Sequence, residues 1–411
     1  MRKITIIGAG QAGLQLGIGL LQHGYHVKLV TDKQPEEIEH GYVMSTQCMF
    51  HSALNAERQL KLDNWQDTCP EIRSINLCIT APDAPGSKAI EWQGELEHIA
   101  QSVDQRIKFP AWMTQFTQQG GLLEFKQITE HELDDYAAES DLVIVASGKG
   151  EIGQLFKTDD SRTNFTQPQR SLSLLYVSHP DQDSQLSKVS FNVIPGVGEY
   201  FVMPVLSRSG PCEAMLFEAI PGSPMDCFKP DDSPEQRLTT AKQLLQHYLP
   251  WEAERVNTAT LTDAKAVIHG QLTPTVRHPT ATLPSGSTVL GLADAVCLND
   301  PITGQGSNNA AKAAQVYLSR ILERGDKPFD TQWMTDTFEQ SWQHAQWATR
   351  WTNMMLTPPP EFVLNLLGAA SHHQVLADRI ANAFDDPQDL FPWFADEQEA
   401  SRYLASLAAT S

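Results

Sequence analysis

A glycine turn between a short apolar run and a helical pattern constrains this chain's fold more than any other feature. Gly8-Ala-Gly-Gln-Ala-Gly13 follows residues 3–7 and opens a stretch in which Leu14, Gly17, Ile18 and Leu21 recur at helical spacing. Gly24 ends the pattern, and residues 26–31 read as a second buried strand. This βαβ start is the frame of a dinucleotide site. Gly8 and Gly10 allow a tight turn and close approach of backbone to a pyrophosphate, and Gly13 allows close helix–strand packing. The helix start at Gln11 and Ala12 would then present free N–H groups to the phosphates.

A second segment, far downstream, narrows the ligand. Gly291-Leu-Ala-Asp-Ala-Val-Cys-Leu-Asn-Asp-Pro-Ile-Thr-Gly-Gln-Gly-Ser-Asn-Asn-Ala310 reads as a strand, an acidic residue at its end, a glycine-rich turn and a helix start. Asp294 would accept hydrogen bonds from ribityl hydroxyls. Gly304-Gln305-Gly306 would let backbone lie against an isoalloxazine, with Asn308 or Asn309 opening the helix. The positive end of that helix would face the pyrimidine part of the ring and favour an anionic reduced flavin. Read together, the two segments imply FAD. The ribose would be held from the end of the second strand, by Thr31 or Asp32. Asp32 is the better chemical choice, and register leaves both open. The run Asp141-Leu-Val-Ile-Val-Ala-Ser-Gly148 has the composition of a parallel strand covered on both faces, and Ser147-Gly148 would bring backbone close to the ligand.

Composition excludes some alternatives. A net charge of −20 lacks the basic footprint that a phosphate backbone or an anionic membrane surface requires, so neither nucleic acid nor membrane is expected as a partner. No apolar stretch is long enough to span a bilayer, and the N-terminus runs directly into the glycine turn in place of a signal peptide. The six cysteines form no C-x-x-C pair, which argues for a reduced, cytoplasmic chain without a zinc site; no metal is expected. There is no G-x-S-x-G, P-loop or H-E-x-x-H, and no nucleophilic triad is apparent. Gly196-Val-Gly198 lies between strand-like runs and lacks a third glycine before a helix, so no second dinucleotide site for a nicotinamide is evident.

The expected fold class is α/β. Residues 1–168 and 277–330 would form a discontinuous Rossmann-like FAD-binding domain. Residues 169–276, with strand-like runs at 172–177, 189–193, 200–205 and 214–219 and a helix at 238–248, would form an inserted antiparallel β-sheet domain that binds substrate. Residues 331–411 would form a helical C-terminal region.

At this point the chain resembles a known family. Gly8–Gly13, residues 141–149, residues 291–310 and, most specifically, Ala348-Thr-Arg-Trp-Thr-Asn353 followed by Pro359-Pro-Glu-Phe362 are similar to the oxygenase component of styrene and indole monooxygenases. The resemblance spans essentially the whole chain. It implies the p-hydroxybenzoate hydroxylase (glutathione reductase type) fold and a two-component epoxidase. FAD would be used as FADH2 supplied by a separate NADH-dependent flavin reductase, by transient contact or diffusion. One atom of O2 would pass to the double bond of a small aromatic substrate. Position by position, the resemblance implies that Met44, Ser45, Thr46 and Gln47 lie over the flavin, with Ser45, Thr46 and Gln47 nearest the chemistry. It places Arg58 and Arg106 near FAD and Pro301 at the ring. Gln47, Val193, Phe201, Met203, Pro204 and Pro301 become candidates for the substrate wall. Relatives acting on styrene tend to have Asn where Gln47 stands. The more polar Ser45-Thr46-Gln47 loop favours indole, whose epoxide would proceed to indoxyl and indigo. The oligomeric state stays open, with a homodimer among the options. Two competing readings are a single-component hydroxylase that binds its own NAD(P)H and a flavin carrier without catalysis. A halogenase would need a W-x-W-x-I-P signature, and Trp342 and Trp347 lie too far apart for one.

Overall fold

The computed structural model describes residues 2–148, 150–179 and 186–408; Lys149, the last residue of the 141–149 motif, lies outside the described residues. The strand Lys3–Ile7 pairs in parallel with His26–Thr31 on one side and Leu142–Val145 on the other. Its alternate residues face opposite layers. Ile4 and Ile6 pack with the first helix, Gln11–Gln22, and the late helix, Gly306–Arg324, while Ile7 packs with Val30, Val143 and Val145 beneath the sheet. Double coverage explains why these strands are apolar almost throughout. The sheet has six strands in the order Thr280–Thr282, Thr288–Gly291, Leu142–Val145, Lys3–Ile7, His26–Thr31, Leu122–Phe125, with only the first pair antiparallel. The expected helix at 12–23 is Gln11–Gln22, and Gly24 follows it at φ +80°.

The second sheet is built on Ser171–Ser178, Lys188–Ile194, Gly198–Ser207 and Gly210–Ala219. It is not confined to residues 169–276. Glu71–Thr80 joins it in parallel beside Lys188–Ile194, and Lys88–Gln101 pairs outside that strand. Residues 71–101, expected within the first domain, therefore complete the second sheet. Pro82, Pro85 and Gly86, which interrupt the apolar pattern between 76 and 93, sit in the connecting turn. The pairing escaped the sequence reading because Glu71–Thr80 finds its second partner about a hundred residues downstream.

The two faces of the second sheet have different coverings. Tyr200, Val202, Met215 and Phe217 pack against the helix Pro234–Tyr248 and its neighbours. Phe191, Phe201, Met203 and Ala214 belong to a core that also contains Val43, Cys48, Ile302 and Trp351 and the C-terminal helices. The C-terminal helical region is thus part of the core that covers the Phe201 and Met203 face. Its helix Gln374–Asn382 shields the edge strand Lys88–Gln101: Asp378 accepts from the Glu95 N–H at 2.7 Å, and Asn382 both accepts from Glu97 N–H at 2.8 Å and donates to Glu95 O at 2.9 Å. No helix among the described residues is long and apolar enough to cross a membrane.

A side chain at Gly94 would press on this contact, since its Cβ would lie 2.2 Å from the Ala377 carbonyl oxygen. Gly94→Ala should therefore destabilise the protein by about 1–3 kcal/mol, typical of overpacking, read as a lowered thermal midpoint.

Candidate active site

The glycine turn is shaped by contact as well as by conformation. Gly8 has φ +112°, and a Cβ there would lie 3.0 Å from Ser147 N; a Cβ at Gly13 would lie 2.0 Å from Gly8 O. Gly10 differs, because a Cβ there would meet nothing within 4 Å. The first helix begins at this open point with no side-chain cap and no acidic residue in its first turn. The late helix repeats the arrangement. Gly304 is left-handed at φ +64°, Gly304 and Gly306 both face open space, and the helix starts with no side-chain cap and no acid in its first turn. The two helices are bonded to each other through Gln15 Nε2 and Ala311 O at 3.1 Å. Two uncapped helix starts carry partial positive charge and unspent N–H groups, which suits an anionic dinucleotide.

Over these helix starts runs an irregular strap, residues 42–48. Val43 N–H donates to Lys265 O at 3.0 Å, and Met49 exchanges backbone bonds with Gln101 at 2.8 and 3.0 Å. Asn308, fully buried, pins the strap to the late helix: its amide accepts from Phe50 N–H at 2.9 Å and donates to Cys48 O at 2.7 Å and Gly304 O at 3.0 Å. Ser45 Oγ accepts from Gln105 Nε2 at 2.8 Å. Burial pushes the Cys48 thiol up to about 12, so it stays neutral and offers no nucleophile.

Gln47 is 2% exposed and belongs to a buried polar relay. Lys108 Nζ donates to Glu57 Oε1 at 2.6 Å and to Gln47 Oε1 at 3.3 Å, and Gln11 Nε2 donates to the same Glu57 oxygen at 2.9 Å. A lysine can only donate, so the Gln47 carbonyl must face it, which fixes the amide orientation. The Gln47 NH2 group is buried with its donors unspent. Lys108 and Glu57 went unnoticed in the sequence, where nothing distinguishes a buried lysine on a helix from a solvated one.

The remaining expected residues divide. Thr31 is buried at its strand end and Asp32 is exposed just beyond it. Gly148 packs directly on Asp294, where a Cβ would come within 2.6 Å of Asp294 O, so the Ser147-Gly148 end meets the late segment. Asp294 sits in a short 3-10 turn, Ala293–Ala295, after the strand Thr288–Gly291, and not at the strand's end. Pro301 opens another such turn, Pro301–Thr303. Several of the expected residues have side-chain partners within the protein. Gln305 donates to Phe384 O at 2.8 Å, and Arg58 donates to Asn55 and Gln66 at 3.0 and 3.1 Å. Arg106 is fully buried between Asp104 and Asp263, where it holds the segment that carries Lys265 and hence the strap. Asn309 Nδ2 is buried and unpartnered, which makes it the better ligand donor of the asparagine pair. On the second sheet Val193, Phe201 and Met203 share one face, and Phe191 stacks on Phe201 at 4.3 Å. Pro204, next along the strand after Met203, lies on the opposite face by the two-residue period and leaves the substrate wall.

The Ala348–Asn353 motif has a structural explanation. Thr349 Oγ1 donates to Asn299 Oδ1 at 3.0 Å, Thr352 and Thr303 share a hydrogen bond of 2.5 Å, and Trp351 packs edge-on against Phe384. The long helix Thr331–Met355 thereby holds the loop from Asn299 to Gly304 in place. Among the described residues no group of three or more His, Cys, Asp or Glu could hold a metal.

Residues 148–255 match the family model described as "Styrene monooxygenase A putative substrate binding domain". Over 419 aligned residues the chain is 28% identical to styrene monooxygenase StyA of Pseudomonas fluorescens, covering 100% of this chain and 99% of that protein, and a StyA from a Pseudomonas sp. matches at the same level. In structure the chain is similar to the flavin-dependent brominase Bmp2, with TM-score 0.69, 14% identity and coverage of 100% and 99%. It is similar also to p-nitrophenol 4-monooxygenase PnpA from Pseudomonas putida DLL-E4, with TM-score 0.63, 10% identity and coverage of 94% and 99%. The fold, the two open helix starts and these matches define a flavin-dependent monooxygenase. Within that class the chain is of the styrene monooxygenase type, a two-component enzyme that uses FAD and O2.

Removing the Asn308 amide would orphan the strap's polar backbone. Asn308→Ala should lower stability by about 2 kcal/mol or more. It should also weaken FAD binding, as measured by quenching of flavin fluorescence.

Proposed function

We propose that this protein receives FADH2 from a separate NADH-dependent flavin reductase and epoxidises a small aromatic alkene with O2. The observation that carries the reading is the pair of uncapped helix starts bridged by the strap, whose buried Gln47 amide keeps two N–H donors unspent. In this reading Gly10, Gln11, Ala12, Gly304, Gly306 and Asn309 hold FAD, and the bound reduced flavin supplies the O2-activating chemistry. The protein's own residues orient and exclude. Backbone N–H groups of both helices favour the anionic reduced cofactor. Val193, Phe201 and Met203 form an apolar wall that desolvates the substrate, and Gln47 offers donors, not acceptors, at the ring. Gly196-Val-Gly198 supports an external source of reducing equivalents: it is the turn of a hairpin between Lys188–Ile194 and Gly198–Ser207, and no helix follows it.

Both indole and styrene suit the wall. The expected preference for indole needs an acceptor for the ring N–H, and the Gln47 carbonyl oxygen is already shared with Lys108. The acceptor we assign to an indole N–H is Thr46, whose hydroxyl lies buried beside Tyr176. Styrene needs no acceptor. Thr46→Val should therefore reduce kcat/KM for indole by about tenfold and leave styrene nearly unchanged, as expected for loss of one buried polar contact. Equal effects would remove indole as the favoured substrate.

The function itself is tested with chemically reduced FAD, mixed anaerobically with the protein and then exposed to O2 with styrene or indole and no NADH. Styrene oxide or indigo is expected. Reoxidation without product from either substrate would overturn the reading in favour of a flavin carrier or a self-reducing hydroxylase.

A further inference from the structure

Three carboxyl groups and one guanidinium lie buried where the second sheet meets the Pro301 turn. Glu199, Glu218 and Asp300 are 5%, 0% and 1% exposed, and Arg170 is 5% exposed. Glu218 stands directly opposite Glu199 in the sheet, and Glu199 stands opposite Val193. By the two-residue period Glu199 shares a face with Phe201 and Met203, so the cluster borders the apolar wall. Arg170 is committed to Glu199 through two bonds of 2.6 and 2.9 Å, with a third donor on Gln169 O at 2.9 Å. Asp300 has its own donor, the Ile302 N–H at 3.1 Å, which stabilises its charged form. Neither Glu218 oxygen receives an N–H or O–H, and the group within hydrogen-bond reach of it is the Asp300 carboxyl. Two buried carboxylates side by side repel, and a single proton between them converts repulsion into a hydrogen bond.

We propose that Glu218 is a carboxylic acid donating to the Asp300 carboxylate, and that this shared proton is a positioning contact fastening the Pro301–Thr303 turn to the substrate sheet. The charged groups facing the pair are Glu199 and Arg170. Burial raises Glu218 well above the ordinary carboxylate range, and it raises Asp300 to about 6. The native fold thus holds a proton that the unfolded chain releases. The pair's contribution to stability is complete below the ordinary carboxylate range and is lost as pH rises through about 6 and beyond. The positioning role rests on the proposed placement of this turn at the flavin; the protonation does not.

The test is infrared spectroscopy of the flavin-free protein in D2O at neutral pH. The carbonyl stretch of a protonated carboxylic acid is expected in the wild type and lost in Glu218→Gln. If that variant does not fold, Asp300→Asn serves, because an amide in place of the anion should move the band's titration about one pH unit or more lower. No acid band at neutral pH, or a band that survives Glu218→Gln, overturns the protonation. For the positioning role, Glu218→Ala should weaken FAD binding about tenfold or more, and Glu218→Gln, which can still donate to Asp300, should stay within about twofold of wild type. Unchanged FAD affinity in Glu218→Ala overturns that role. The band is read without flavin or substrate, so it stands or falls separately from the proposed activity.

Discussion

The site depends first on a buried ion pair. Glu57 and Lys108, 2.6 Å apart and almost without solvent, join the helix His51–Gln59 to the helix Gln105–Gln118. Such a pair repays its desolvation only when the remaining donors and acceptors are also used. Here Gln11 at the start of the first helix and Gln47 in the strap use them. The glycine turn after the first strand and the strap at residues 42–48, far apart in sequence, are thereby held to one charge pair. Losing either charge would strand the other in the interior at a cost of about 3–5 kcal/mol and would release both ends of the site together.

A second set of contacts fixes the other side. Asn308 spends its amide on Cys48, Phe50 and Gly304, and the long C-terminal helix holds Asn299 and Thr303 through Thr349 and Thr352. The irregular segments that would meet cofactor and substrate are thus supported by rigid helices whose own side chains need not touch either. Precise placement of loops by a packed scaffold is what chemistry carried by a bound cofactor requires of a protein.

How much of this the sequence disclosed follows from the range of the interactions. The βαβ start and the late strand–turn–helix are local patterns, and the structure has both, with the late strand ending three residues before Asp294. The four central strands were equally legible, but Glu71–Thr80 and Lys88–Gln101 were read as part of the first domain, because their pairing with the second sheet is non-local. Arg58 and Arg106 show what matching positions alone leave out. Sequence does not reveal that Arg106 lies buried between two aspartates or that Arg58 reaches Asn55 and Gln66. The threonines of the Ala348–Asn353 motif were marked as distinctive without a reason, and the reason is their hold on a loop fifty residues away.

The central claim is that two uncapped helix starts make this a site for reduced flavin arriving from solution. The most direct measurement is the dissociation constant of FADH2 under anaerobic conditions beside that of oxidised FAD on the same protein. The positive helix ends favour the anionic reduced form, so FADH2 should bind about tenfold tighter or more, an advantage of about 1.4 kcal/mol. Equal affinities, or tighter binding of oxidised FAD, would contradict the account.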